Sequence, residues 1–168
     1  MTYKTTYHSP LGNILLVADD TGLTHLDFEN TFKPRPGDAD AVSRPEHPIL
    51  KQAEHWLDLY FAGQVPDFLP PLHLQGTSFQ ESVWHLLEKI PYGETTTYGA
   101  LAKEIARPRD MKRMSAQAVG NAVGSNPVSV IVPCHRVIGS DGSLTGYGGG
   151  LPRKDYMLKL ERGVKHDG

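Results

Sequence analysis

The chain has 168 residues, 39% hydrophobic and 21% charged, enough for one generous domain or two small ones. This composition excludes a disordered tail, a collagen-like repeat or a coiled coil. No stretch nears the roughly 18 consecutive apolar residues of a membrane span, and the N-terminus, MTYKTTYHSP, lacks a signal peptide's apolar core, so a cytoplasmic protein without a membrane partner is expected. The net charge of −2 is unevenly shared: residues 1–97 carry 6 Lys/Arg against 13 Asp/Glu and residues 98–168 carry 11 against 6, so the second half suits an anionic partner.

In chain order, Tyr3–Tyr7, Asn13–Ala18 and Leu23–Phe28 read as strands separated by turn residues. The polar stretch Asn30–Pro48, with four prolines, reads as a long surface loop. Ile49, Leu50, Ala53, Trp56, Leu57 and Tyr60 recur at helical spacing and stop at Gly63. Pro66, Pro70 and Pro71 mark a link, so a domain of residues 1–76 and a second of residues 77–168 are expected. In the second, Ser78 and Glu81 suggest a capping box, and Phe79, Val83, Leu86 and Ile90 trace one helix face. A helix from about Thr97 to Ala106 follows, stopped by Pro108, and then a basic connector, Arg107 to Arg113.

A third helix in this half, about Ser115–Ser125, turns Ala116, Val119 and Val123 inward and Gln117, Ala118, Asn121 and Ala122 outward. Its Gly120 and Gly124 each cost on the order of 1 kcal/mol in helix stability, which implies close approach to something. Two short helices, the second small-faced, resemble a helix-turn-helix. Val128–Val132 reads as a buried strand leading to Pro133-Cys134-His135-Arg136-Val137. Thr145 to Gly150 reads as a mobile loop over a pocket, and the last helix opens at Pro152 and stops at Gly163. The expected class is α+β: a small sheet-plus-helix domain, then a mainly helical one.

Cys134 is the only cysteine, so an intramolecular disulfide or a cysteine-based zinc site is impossible, and neither a metal nor a cofactor is expected. Cys134 is either a buried structural thiol or a nucleophile favoured by the positive charge of His135 and Arg136. On an extended chain adjacent side chains diverge, so His135 reaches the sulfur only if the backbone bends or a water bridges the two. Glu161, spaced with the apolar Met157 and Leu158, either orients that histidine or is exposed at a helix end.

Asn126-Pro127, Pro133 to Val137, Gly146-Tyr147 through Arg153-Lys154 to Glu161, and the opening Phe79-Gln80 to Val83-Trp84 together resemble the O6-alkylguanine–DNA alkyltransferase family across residues 77–163. The resemblance implies binding to double-stranded DNA by a helix-turn-helix in the minor groove and rotation of the damaged guanine out of the stack. The O6-alkyl group then passes irreversibly to Cys134 in a single turnover, with O4-alkylthymine as a second candidate lesion. It further implies His135 as the water-mediated base, Glu161 as its orienting carboxylate and Asn126 as a structural hinge. Tyr98, Ala116, Gln117, Ala118, Asn121 and Arg136 would bind DNA, and Val123, Tyr147 and Gly148 would line the substrate pocket. A monomer is expected, one that could cooperate along DNA.

Two departures stand out. Gln117 occupies the place of the family's usual arginine, and the connector between the two helices is about five residues longer, its basic residues available to phosphates. Competing readings are a non-catalytic lesion sensor of the same fold, a transcription regulator using the helix-turn-helix alone, and a thiol hydrolase using the same Cys, His and Glu.

Overall fold

The computed structural model of the protein describes residues 1–106, 116–144 and 147–163. The expected connector Arg107 to Arg113, the Pro108 helix stop, Ser115, Thr145 and Gly146 lie outside these. Contacts divide the chain into two units: Met1–Gln75 with Pro127–Ile131, and Gly76–Asn126 with the residues from Val132 on. The expected α+β class is what the chain adopts.

The first unit holds a four-stranded sheet of order β3-β2-β1-β4, from β1 (Tyr3–Ser9), β2 (Gly12–Ala18), β3 (Leu23–Phe28) and β4 (Val42–Ser43). The first three are antiparallel neighbours, with Tyr7 opposite Ile14 and Leu16 opposite Leu26. Helix α1 (Pro48–Phe61) opens with Pro48, whose missing N–H costs nothing at a helix start. It covers the Tyr7 face of the sheet, where the Tyr7 hydroxyl donates to Asp58 at 2.7 Å. Ile14, Leu16, Leu26, Leu50, Leu57 and Tyr60 form the core.

The stretch read as a surface loop is partly built in. Val42–Ser43 pairs parallel to β1, and His25, stacked on Phe32, bonds Asp38 at 2.8 Å. A buried histidine–carboxylate pair is a tertiary contact that composition does not reveal. The Val128–Val132 strand is also corrected: only Leu26 bridges Val128, while the Leu26 N–H donates to Pro127 and the Ser129 N–H donates back to Leu26.

The second unit contains α2 (Ser78–Glu88), β5 (Thr96–Thr97), α3 (Tyr98–Ala106), α4 (Ala116–Gly124), β6 (Val137–Ile138) and α5 (Leu151–Glu161). The capping box lies one residue earlier than expected, between Thr77 and Gln80, because Thr77 has the extended backbone a cap needs. The buried face of α2 is correspondingly Val83, Trp84 and Leu87. Helices α2, α3 and α4 pack on one another, and the Trp84 indole N–H donates to the Ala122 carbonyl at 2.8 Å. Ala122 is therefore inward, not on the outer face.

Candidate active site

The nucleophile candidate stands on a backbone of tight turns. The Ile131 N–H donates to Ser129 at 2.8 Å around Val130, whose φ is +70°. This γ-turn hand is the rarer and strained one, and a β-branched residue seldom adopts it. Three residues on, the Cys134 N–H donates to Val132 at 2.8 Å around Pro133 at φ −82°, ψ 66°, a relaxed γ-turn of the opposite hand. The Val132 carbonyl also accepts the Asn126 side-chain amide at 2.7 Å.

Cys134, His135 and Arg136 then form a single 3-10 turn. Of the two routes left open, the backbone does bend here, into a helical turn in which consecutive side chains no longer oppose each other. Cys134 is buried, with 7% of its surface exposed, and His135 is wholly buried. Strand β6 follows at once and pairs parallel to β5, Thr96 with Val137, which brings the start of α3 beside the turn. The Tyr98 phenol is held above its ordinary range by burial and then by the negative charge of a Cys134 thiolate, so Tyr98 remains a neutral hydroxyl near the sulfur.

Helix α5 supplies the polar partners. Its inward stripe is Lys154, Met157, Leu158 and Glu161, an i, i+3, i+4, i+7 pattern with a charge at each end. His135 Nε2 lies 2.5 Å from Glu161 Oε2, and Glu161 Oε1 accepts from Arg136 Nε at 2.7 Å and from the Gly93 N–H at 3.2 Å. Burial alone would raise the Glu161 carboxyl, but its bond to His135 and the charges of His135 and Arg136 outweigh this and hold it at about 2. Burial pushes the His135 imidazolium below the usual histidine range, helped by the charges of Arg136 and Lys154 and opposed by Glu161. At neutral pH the pair is therefore a carboxylate and a neutral imidazole. With Nε2–H donating to Glu161, the lone pair sits on Nδ1.

Lys154 is fully buried, and its ammonium donates to the Val137 carbonyl at 2.5 Å. Burial lowers its proton affinity, and Cys134 as a thiolate raises it again, so the two groups are electrostatically coupled. No role was expected for Lys154. The signal was the α5 stripe, of which only the glutamate end was read. Tyr92 and the Gly93 N–H were also missed, and nothing in their local sequence sets them apart.

Arg136, expected at the DNA, is instead an interior residue: 7% exposed, bonded to Glu161 and to the Ile90 carbonyl at 2.7 Å, and stacked over the Tyr92 ring. A carboxylate buried beside it explains why it turns inward. Gln117 and Asn121 are exposed on α4, Ala118 is half-buried, and Ala116 begins the helix with its side chain outside the described atoms. Val123 is buried, Gly148 is exposed, and Tyr147 is half-buried and accepts the Gly150 N–H at 3.0 Å through its carbonyl.

Residues 78–163 match the family described as 6-O-methylguanine DNA methyltransferase, DNA binding domain, and residues 2–74 match the ribonuclease-like domain of the same methyltransferase. The chain belongs to the 6-O-methylguanine DNA methyltransferase family. It is 43% identical over 162 residues to the methylated-DNA–protein-cysteine methyltransferase of Haemophilus influenzae, covering 95% of this chain and 86% of that one. To the protein of the same name from Methanosarcina acetivorans it is 44% identical over 159 residues, covering 95% and 97%. The crystal structure of Mycobacterium tuberculosis OGT in complex with DNA superposes with a TM-score of 0.83 at 42% identity, covering 96% of this chain and 93% of that one. The family's DNA-binding domain thus spans α2 to α5. Among the described residues, no helix is long and apolar enough to cross a membrane.

Proposed function

We propose that the protein repairs alkylated DNA by moving the alkyl group of O6-alkylguanine onto Cys134. The observation that carries this reading is the buried His135–Glu161 bond beside Cys134, which engages Nε2 of a neutral imidazole and so puts the basic lone pair on Nδ1. The thiol proton passes through one water to His135 Nδ1. The thiolate, coupled to Lys154, attacks the alkyl carbon; a C–S bond forms, the C–O6 bond breaks with its electron pair on oxygen, and the guanine anion takes up one proton, balanced by the one His135 received, which returns the imidazole to its neutral form. The product is a thioether with no water-labile bond, so each molecule acts once.

Access to the carbon requires extrusion of the base, which costs a few kcal/mol and least for a mispaired or damaged nucleotide. Helix α4 suits a minor groove about 6 Å wide. Among the described residues, a Cβ on Gly124 would meet nothing within 4 Å, and one on Gly120 only the Tyr98 ring at ordinary contact distance. Packing among these residues therefore does not account for the two glycines, whereas close approach of a partner does. On this reading Gln117, Ala118 and Asn121 face the DNA, Ala116 begins the inserted helix, and Tyr98 lies near the extruded nucleotide's phosphate. Val123, Tyr147 and Gly148 border the pocket, and Asn126 holds the turn. The protein binds as a monomer, and O4-alkylthymine is a second substrate to test.

The test is an intact mass after incubation with an O6-methylguanine oligonucleotide. One methyl gained, absent in Cys134→Ala, is the expected result. Repeated turnover, or hydrolysis of an ester with no mass gain, would overturn it.

A further inference from the structure

We propose that Arg136 is a positioning residue for alkyl transfer: its guanidinium locks the Glu161 carboxylate in the one orientation that presents His135 as a base. The proposal rests on the roles assigned above to His135 and Glu161, and it takes Arg136 out of the DNA contacts.

The geometry is a three-point lock. Arg136 Nε donates to Glu161 Oε1, Nη1 donates to the Ile90 carbonyl, and the guanidinium lies 5.6 Å from the centre of the Tyr92 ring. Both ends of the lock are buried, with 8% of the Arg136 side chain and 1% of the Glu161 side chain exposed. Oε1 accepts from Arg136 and Gly93 while Oε2 meets His135, so the carboxylate cannot rotate without breaking all three bonds. An oriented carboxylate selects the tautomer of its histidine, which here decides whether Nδ1 carries a lone pair or a proton. A lysine would supply the charge without the planar fork that meets Glu161, Ile90 and Tyr92 together.

Charge adds to orientation. Among the described residues, the charged groups that act on His135 or Glu161 include Arg136 on the same turn and Lys154 on α5, with the Tyr92 phenol responding to Glu161 and Arg136. From the nucleophile side Cys134 acts on Lys154, and on the Tyr98 phenol. Arg136 favours the carboxylate and disfavours the imidazolium. Without it His135 would hold a proton at higher pH and fail as a base there.

The experiment is single-turnover transfer from excess O6-methylguanine duplex, measured from acid to neutral pH for wild type, R136Q, R136K, E161Q and R136Q/E161Q. The endpoint gives the folded, competent fraction and the rate constant gives positioning. R136Q should reach its full endpoint at a rate at least about tenfold slower, within the range for a lost base. Its acid limb should move to higher pH. R136K should restore the limb without restoring the rate, and R136Q should add no further loss to E161Q. An unchanged R136Q rate and pH profile, or losses that multiply with E161Q, would overturn the proposal. Should R136Q not fold, R136K alone serves: a slower rate at full endpoint supports the lock, and a wild-type rate overturns it. No transfer by wild type would overturn the reading of the site itself, and the lock with it.

Discussion

The side-chain amide of Asn126 donates to the backbone carbonyl of Val132 at 2.7 Å, closing a loop whose two ends both belong to the C-terminal unit while Pro127–Ile131 between them count with the N-terminal one. The same carbonyl accepts the Cys134 N–H. One oxygen thus meets both the end of this excursion and the start of the nucleophile's turn, and the bond to it from Asn126 requires that side chain's NH2 group in particular.

Val130, inside that loop, carries the strain. At φ +70° glycine is at ease and any L-residue is not. Val130→Gly should therefore be more stable than Val130→Ala by roughly 1 kcal/mol, reversing the usual order in which glycine is the costlier residue. Both variants lose the packing of a fully buried valine, so their difference isolates the backbone. Urea midpoints measured side by side give the answer, and an alanine variant equal to or above the glycine one would remove the strain argument.

Acid should unfold the protein in two stages. Burial keeps His135 from taking a proton that the unfolded chain takes readily, so stability falls as pH drops below the ordinary histidine range. Glu161 is held at about 2 against an unperturbed 4.5, so its contribution, complete above the ordinary carboxylate range, drains away as pH falls toward 2. Denaturation midpoints across this span should show the first loss disappear in His135→Asn and the second shrink in Glu161→Gln.

Lys154→Met should separate activity from stability. The buried ammonium donates to the Val137 carbonyl and is coupled to Cys134, and an apolar side chain of similar length removes a desolvation cost. Transfer should slow by about tenfold or more as the thiolate loses its cation, while the melting temperature holds or rises. A variant that loses stability and keeps its rate would assign Lys154 to the fold alone.

Gln117→Arg should tighten DNA binding. Gln117 is exposed on α4, so a cation there meets phosphate or an orphaned base without burial cost. The added charge should steepen the salt dependence by about one counterion. Equal dissociation constants at matched salt would show that the position lies off the DNA.

Local pattern made the sheet and the helices legible, because strand alternation and the spacing in α1 and α5 are dictated by single elements. Glu161 was legible for the same reason. What stayed hidden was tertiary: that Arg136 faces a carboxylate 25 residues on, that Ala122 receives an indole N–H, and that Val128–Val132 turns where its β-branched composition reads as strand. The α5 stripe contained Lys154 in plain view, but a lysine on an apolar face reads as a side chain reaching for water until its surroundings are known.

Glu161 is the final residue of α5, at the end of a helix where the backbone ordinarily frays. Here the last turn is moored by His135, Arg136 and the Gly93 amide, so the groups proposed above to prepare the sulfur for reaction are also the clasp that keeps the helix wound to its tip. Damage to the reaction chemistry should thus register as a loosened C-terminal end, visible as faster amide exchange there before any loss of the domain as a whole.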